Sequence, residues 1–186
     1  MTKTISFLSF IIISILVGCT SQKINLITGS DYDESKNQTE YFQLPFGSVT
    51  LPGKWERTKY NSISGQQFFI DKDSVSIAIA FNRYDKYEFN ADGAKKGFEF
   101  VKAYYEWDSK YFVDSHGLKR KEIEKDSVKK YMIYEIFGET EKSKIDTYFL
   151  IGENNGNTSN FSISVTDKWT KNEKIGFLKN LFLTKK

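Results

Sequence analysis

The chain has 186 residues, with 27 Lys and Arg against 24 Asp and Glu, one His, one Cys and two Pro. This length suits a single domain. The near balance of charge leaves no electrostatic footprint for nucleic acid, and a 39% hydrophobic content is enough for a real core. One Cys excludes an internal disulfide, and one Cys with one His cannot assemble a Cys/His zinc site. No cofactor motif is present.

The N-terminus carries the strongest signal. Lys3 supplies a short positive start, and 5–17 is an apolar run broken only by Ser6, Ser9 and Ser14. It is too short for the roughly 20 residues of a spanning helix and reads as a secretory signal over 1–18. The run ends in Leu16-Val17-Gly18-Cys19, which resembles the lipobox of bacterial lipoproteins. That resemblance implies cleavage before Cys19, a diacylglycerol on its sulfur and, often, a further acyl chain such as palmitate on its amino group. The expected partner is then a membrane, reached through the lipid anchor. Two or three chains make such attachment effectively permanent, since each buried methylene contributes about 0.8 kcal/mol. The location expected is extracytoplasmic, in the cell envelope. Where the cell has an outer membrane, Thr20 after Cys19 resembles the pattern for outer-membrane sorting, facing the periplasm.

Residues 19–43 are rich in Ser, Thr, Asn, Gln and Gly, with a charged Asp31-Tyr32-Asp33-Glu34 stretch. The reading is a flexible tether reaching roughly 25 Å, followed by a single globular domain over 44–186. Asp31, Asp33 and Ser35 resemble the start of a calcium loop. Lys36 stands where such a loop needs Gly, and Phe42 where it needs Glu, so calcium is rejected.

Period-two patterning begins at Ser48, with Val49 and Leu51 alternating before a Pro52-Gly53 turn, and 66–70 forms a short apolar run. Val75, Ile77, Ile79 and Phe81 then share one strand face, with Ser76, Ala78 and Ala80 on the other. Small residues there fit close approach by a helix or another backbone. Asn90 is a candidate cap for one long helix over about 90–112. Ala94, Phe98, Val101, Tyr105 and Phe112 form one stripe on it, while Phe100, Tyr104, Trp107 and Tyr111 form a second.

After a break at His116-Gly117, strands are expected near 118–125, 129–137, 145–151 and 160–166. The last two are joined by a loop containing Asn155-Gly156, a pair that readily supplies positive φ. Thr170 and Glu173 fit a capping box opening a C-terminal helix over about 170–183, whose apolar stripe is Ile175, Leu178, Leu181 and Phe182. The fold class is therefore α+β: a mostly antiparallel sheet of about six to seven strands with two helices. This order, together with Leu51-Pro52-x-x-Trp55, Ile151-Gly152-Glu153 and the Trp169–Phe182 segment, resembles the PsbP-like α/β/α sandwich proteins. That resemblance implies a small binding or assembly role and brings no catalytic residue with it.

Three groups of residues stand out as candidate sites. The stripe Phe100, Tyr104, Trp107 and Tyr111 either packs into a second small core or, if exposed, offers a contact surface for a protein or glycan partner, because Tyr and Trp combine large area with few rotatable bonds. Lys119-Arg120-Lys121, with Lys125, Lys129 and Lys130, is the densest basic patch. Interleaved Glu122, Glu124 and Asp126 make it read as a solvated edge strand that discourages sheet-to-sheet association. His116, near Asp114 and Ser115, has no obvious local nucleophile and reads as a surface or capping residue.

The expectation is a lipid-anchored, non-enzymatic binding or assembly module. One alternative is a carrier of a small apolar ligand, which needs a cavity lined by residues such as Phe98 and Tyr105. The other is an envelope-polymer hydrolase using His116.

Overall fold

A computed structural model describes residues 25–141 and 143–186. The expected signal segment and the lipobox-like Leu16-Val17-Gly18-Cys19 lie outside the described residues. In chain order the elements are β1 (Ile27–Asp33), β2 (Gln38–Leu44), β3 (Gly47–Pro52), β4 (Glu56–Asn61), β5 (Gln66–Ile70) and β6 (Ser76–Arg83). Two single 3-10 turns follow (Tyr84–Lys86 and Glu88–Asn90), then α1 (Gly97–His116), β7 (Lys119–Asp126), β8 (Tyr131–Glu139), β9 (Lys144–Asn154), β10 (Asn157–Ile163) and α2 (Lys171–Thr184).

The strands form two antiparallel sheets. A small one runs β1-β2-β3, and a seven-stranded one runs β4-β5-β6-β10-β9-β8-β7. The fold is α+β, as the sequence leads one to expect.

Alternation along the strands creates the layers. Tyr131 and Ile133 of β8, Tyr148 and Leu150 of β9, and Ile77, Ile79 and Phe81 of β6 join one apolar cluster. The inner face of the small sheet (Tyr41, Val49, Leu51) and Leu178, Leu181 and Phe182 of α2 complete it. Met132, Tyr134 and Ile136 of β8, with Phe149 and Ile151 of β9, point the other way and meet Phe100, Val101 and Tyr104 of α1. The large sheet is thus sandwiched, with α1 on one side and the small sheet and α2 on the other. Trp55 meets Trp169 and Phe177 with ring centroids at 6.2 and 5.7 Å, so the two Trp-bearing segments noted in the sequence touch in the fold.

The capping box is present: the Glu173 N–H donates to Thr170 Oγ1 at 3.3 Å, and the Thr170 N–H donates to Glu173 Oε2 at 2.7 Å. The β9–β10 turn is the Asn155-Gly156 pair at φ 52° and 85°, as a two-residue turn matched to strand twist requires. The basic segment is the edge strand β7.

Ends of the later strands shift by up to three residues, as in β10, which runs 157–163 against the expected 160–166, and two boundaries differ by more. From Ile27 onward, the presumed tether is a β-hairpin paired with β3, so the folded unit starts at β1 rather than at residue 44. Its inward residues are largely polar, which hides the alternation, and Thr39 and Gln43 find tertiary partners. The Thr39 hydroxyl donates to the Gly53 carbonyl at 2.8 Å and accepts from the Trp55 N–H at 2.9 Å. Gln43 Nε2 donates to the Phe81 carbonyl at 2.8 Å. Buried polar groups are tolerated when paired in this way.

The second difference concerns the long helix, which starts at Gly97 rather than near residue 90 and runs on to His116. Asn90 does not cap it. Its side chain instead ties the preceding loop together, accepting from the Lys95 N–H at 2.8 Å and donating to the carbonyls of Tyr84 and Lys95. The Gly97 N–H donates to Glu153 Oε2 at 2.8 Å, so a carboxylate from β9 does the capping. A negative group there also suits the positive end of the helix dipole.

Candidate functional site

The two stripes on α1 do not separate into one core face and one contact face. The buried seam runs between them through Phe100, Val101, Tyr104 and Ser109, leaving Phe98, Tyr105 and Phe112 half-buried. Phe100 and Tyr104 are therefore unavailable to a partner, which corrects half of the proposed contact stripe. Trp107 is 37% exposed and Tyr111 58%, one helical turn apart.

Trp107 is held firmly for a surface side chain. The two 3-10 turns lay Tyr87 and Phe89 across the helix, and both rings pack on Trp107, with centroids at 5.9 and 5.4 Å. Tyr104 closes the cluster from below at 5.6 Å, and the indole N–H donates to Glu88 Oε1 at 2.8 Å. Tyr111 rests edge-on against Phe112 and His116.

Beneath this aromatic cap lies a polar layer. Tyr134 donates to Asp108 Oδ2 at 2.5 Å, Asn160 Nδ2 donates to the Tyr104 hydroxyl, and the Tyr87 hydroxyl meets Thr158 Oγ1 at 3.2 Å. Among the described residues, buried Asn160 Oδ1 meets no hydrogen-bond partner. Burial pushes the Asp108 carboxyl up to about 6, with the Tyr134 hydrogen bond acting in the opposite direction. Burial, with the nearby Asp108 charge, also drives Tyr104 and Tyr134 well above the usual phenol range, so both stay neutral donors or acceptors. Within this set, Asp108 is the group whose charge changes near neutral pH.

Asp108, Tyr134, Asn160, Tyr87 and Phe89 were not identified from the sequence. The key bonds join residues 26 and 56 positions apart, so no local pattern marks them.

The other candidates are placed as follows. His116 is exposed at the end of α1 against the Tyr111 and Phe112 rings, while Asp114 pairs with Lys110 at 2.6 Å. Among the described residues, no hydrogen bond or ion pair joins His116 to a carboxylate or hydroxyl. On β7, Arg120 is held by Glu106 of α1 at 2.8 Å and by Ser109 at 2.7 Å, and Lys125 pairs with Glu122 at 2.8 Å, so two cations of the basic patch are engaged, one of them by an interleaved acid.

An open groove of about 490 Å³ lies between α1 and the β7–β8 edge. Ala103, Tyr105 and Met132 line it, together with three Lys and three Glu side chains; Phe98 does not. That lining fits poorly with the enclosed apolar cavity that a carrier of a small apolar ligand requires. Among the described residues, no cluster of His, Cys, Asp or Glu is placed to hold a metal ion, and no helix is long and apolar enough to cross a membrane.

No family model matches the sequence, and no curated protein matches it either. Among solved structures, the cyanobacterial PsbP (CyanoP) of Synechocystis sp. PCC 6803 is similar at 12% identity and a TM-score of 0.47, over 92% of this chain and 98% of that one. At this distance nothing about ligands or partners passes from one chain to the other, and the functional reading rests on the residues themselves.

Proposed function

We propose that this chain is a lipid-anchored cell-envelope protein whose folded domain is a non-enzymatic binding or assembly module. The anchor reading rests on Leu16-Val17-Gly18-Cys19 after the apolar run, with Cys19 as the acylated residue. Thr20 favours retention at the outer membrane, facing the periplasm, in a cell that has one.

The observation that carries the binding role is Trp107. Its ring is fixed by three neighbouring aromatics and a hydrogen bond to Glu88, yet it keeps an exposed face beside Tyr111. A large side chain ordered in advance loses little entropy on binding, and Trp and Tyr are the residue types that dominate contact energetics. A protein or envelope component docking on α1 would use this pair.

The test combines palmitate labelling of wild type and Cys19→Ala with in-cell cross-linking from position 110, between the two aromatics. Label on wild type alone supports the anchor. A cross-linked product that disappears in the Trp107→Ala, Tyr111→Ala double variant supports the contact. The same product in both chains removes the aromatic pair from the interface, and an unlabelled wild type removes the anchor.

A further inference from the structure

The solvent face of the small sheet is apolar at one end and acidic at the other. Tyr41 and Gln43 of β2 point inward, so Glu40, Phe42 and Leu44 point outward. The β1–β2 register pairs Ile27 with Leu44, Gly29 with Phe42, Asp31 with Glu40 and Asp33 with Gln38. Ile27 is 59% exposed and Leu44 46%. The Phe42 ring lies over Gly29, where a Cβ would stand 2.2 to 3.0 Å from its atoms, extending the apolar patch by one row. Such outward rows in a half-solvated antiparallel sheet are normally polar. At a rise of about 3.4 Å per residue, Asp31 and Glu40 lie about 14 Å along the sheet from the Ile27–Leu44 row and about 7 Å from the Phe42 row, with Asp33 and Glu34 beyond them.

The same end receives both ends of the folded unit. The chain enters β1 at Ile27, eight residues after Cys19, and the Lys186 backbone bonds to Ser48 in both directions at 3.1 and 3.0 Å. That places an exposed lysine beside the apolar rows, and Lys23 lies within the connecting segment. Eight residues reach at most about 28 Å, and as a flexible chain would average about 15 Å. A domain of this size has a radius of gyration of about 15 Å. The leash therefore keeps the Ile27 end of the domain, on average, within about one domain radius of the surface that holds Cys19.

We propose that the Ile27, Leu44, Phe42 and Lys186 end of the small sheet rests on the bilayer surface bearing the lipid anchor, with the acidic turn after β1 directed away from it. The inference builds on the anchor reading above. Its physical basis is that apolar side chains and a cation suit the boundary between anionic headgroups and acyl chains, whereas clustered carboxylates are repelled there. It also leaves α1, on the opposite side of the large sheet, free to meet a partner.

The experiment uses full-length acylated protein in vesicles of phosphatidylethanolamine and phosphatidylglycerol. Cys19 is the chain's one cysteine and is occupied by lipid, so Leu44→Cys or Ile27→Cys gives a unique thiol for a nitroxide. Ile63→Cys, at a position 90% exposed in the β4–β5 turn, is the reference. The expected result is a several-fold loss of collisions with an aqueous nickel chelate at positions 44 and 27, with a gain in oxygen collisions, and no change at 63. Equal nickel accessibility at 44, 27 and 63 in protein that floats with the vesicles overturns the docking and leaves the anchor standing. Protein that fails to float overturns both. Spin–spin broadening at 44 would assign the patch to a second copy of the chain and likewise overturn the proposal.

Discussion

Replacing Asp108 with Asn removes a charge while keeping an oxygen that can accept from Tyr134. In the folded protein the carboxyl is pushed from an ordinary 3.8 up to about 6 by burial. The folded state therefore holds its proton over a range where the unfolded chain has released it. Stability from this group is fully present below the unfolded value and is lost as pH rises through the folded one. A difference of about two pKa units corresponds to about 3 kcal/mol, of which about 1.4 kcal/mol is lost between pH 5 and pH 8. Tyr104 and Tyr134 stay neutral throughout and do not blur the effect.

Urea unfolding of wild type and Asp108→Asn at pH 5 and pH 8 isolates this contribution, because other titrations are common to both chains. Wild type should lose about 1.4 kcal/mol more than the variant over that interval, and the variant should be the more stable of the two at pH 8. Parallel pH profiles would refute the claim that burial penalises this carboxylate.

Two further outcomes follow from the α1 cap and the α2 packing. Glu153→Ala removes the acceptor for the N–H groups of Gly97 and Gly156. It should cost about 1 to 3 kcal/mol and raise hydrogen exchange in the first turn of α1 ahead of its last turn, whereas a uniform rise along the helix would contradict the capping role. Gly152→Ala places a Cβ 2.1 to 2.9 Å from the ring of buried Phe182. It should destabilise by about 1 to 3 kcal/mol, with partial rescue by Phe182→Leu, and an unchanged melting temperature would count against tight α2–β9 packing.

Legibility of the fold tracks how local the cause is. The β6 face, the Asn155-Gly156 turn and the Thr170–Glu173 box are written into runs of two to eight residues, and they appear where the pattern places them. β4 has no apolar alternation because every one of its residues is exposed; edge pairing with β5 alone makes it a strand. β1 and β2 were hidden because Thr39 and Gln43 face inward and are satisfied by Gly53, Trp55 and Phe81, partners 14 to 38 residues away. The start of α1 is likewise set from a distance, since its cap comes from Glu153, 56 residues downstream.

The candidate site divides in the same way. Helical spacing marks the aromatic residues of α1, and the resemblance of Leu16-Val17-Gly18-Cys19 to a lipobox is a matter of sequence alone. Which of those aromatics are buried depended on the rotation of α1 against β8 and β9 and on Tyr87 and Phe89 folding back over it. Backbone propensity and side-chain period act over one or two turns and so can be read along the chain. Burial, long-range caps and a perturbed carboxylate arise from groups brought together across the sheet, and only the tertiary structure sets those distances.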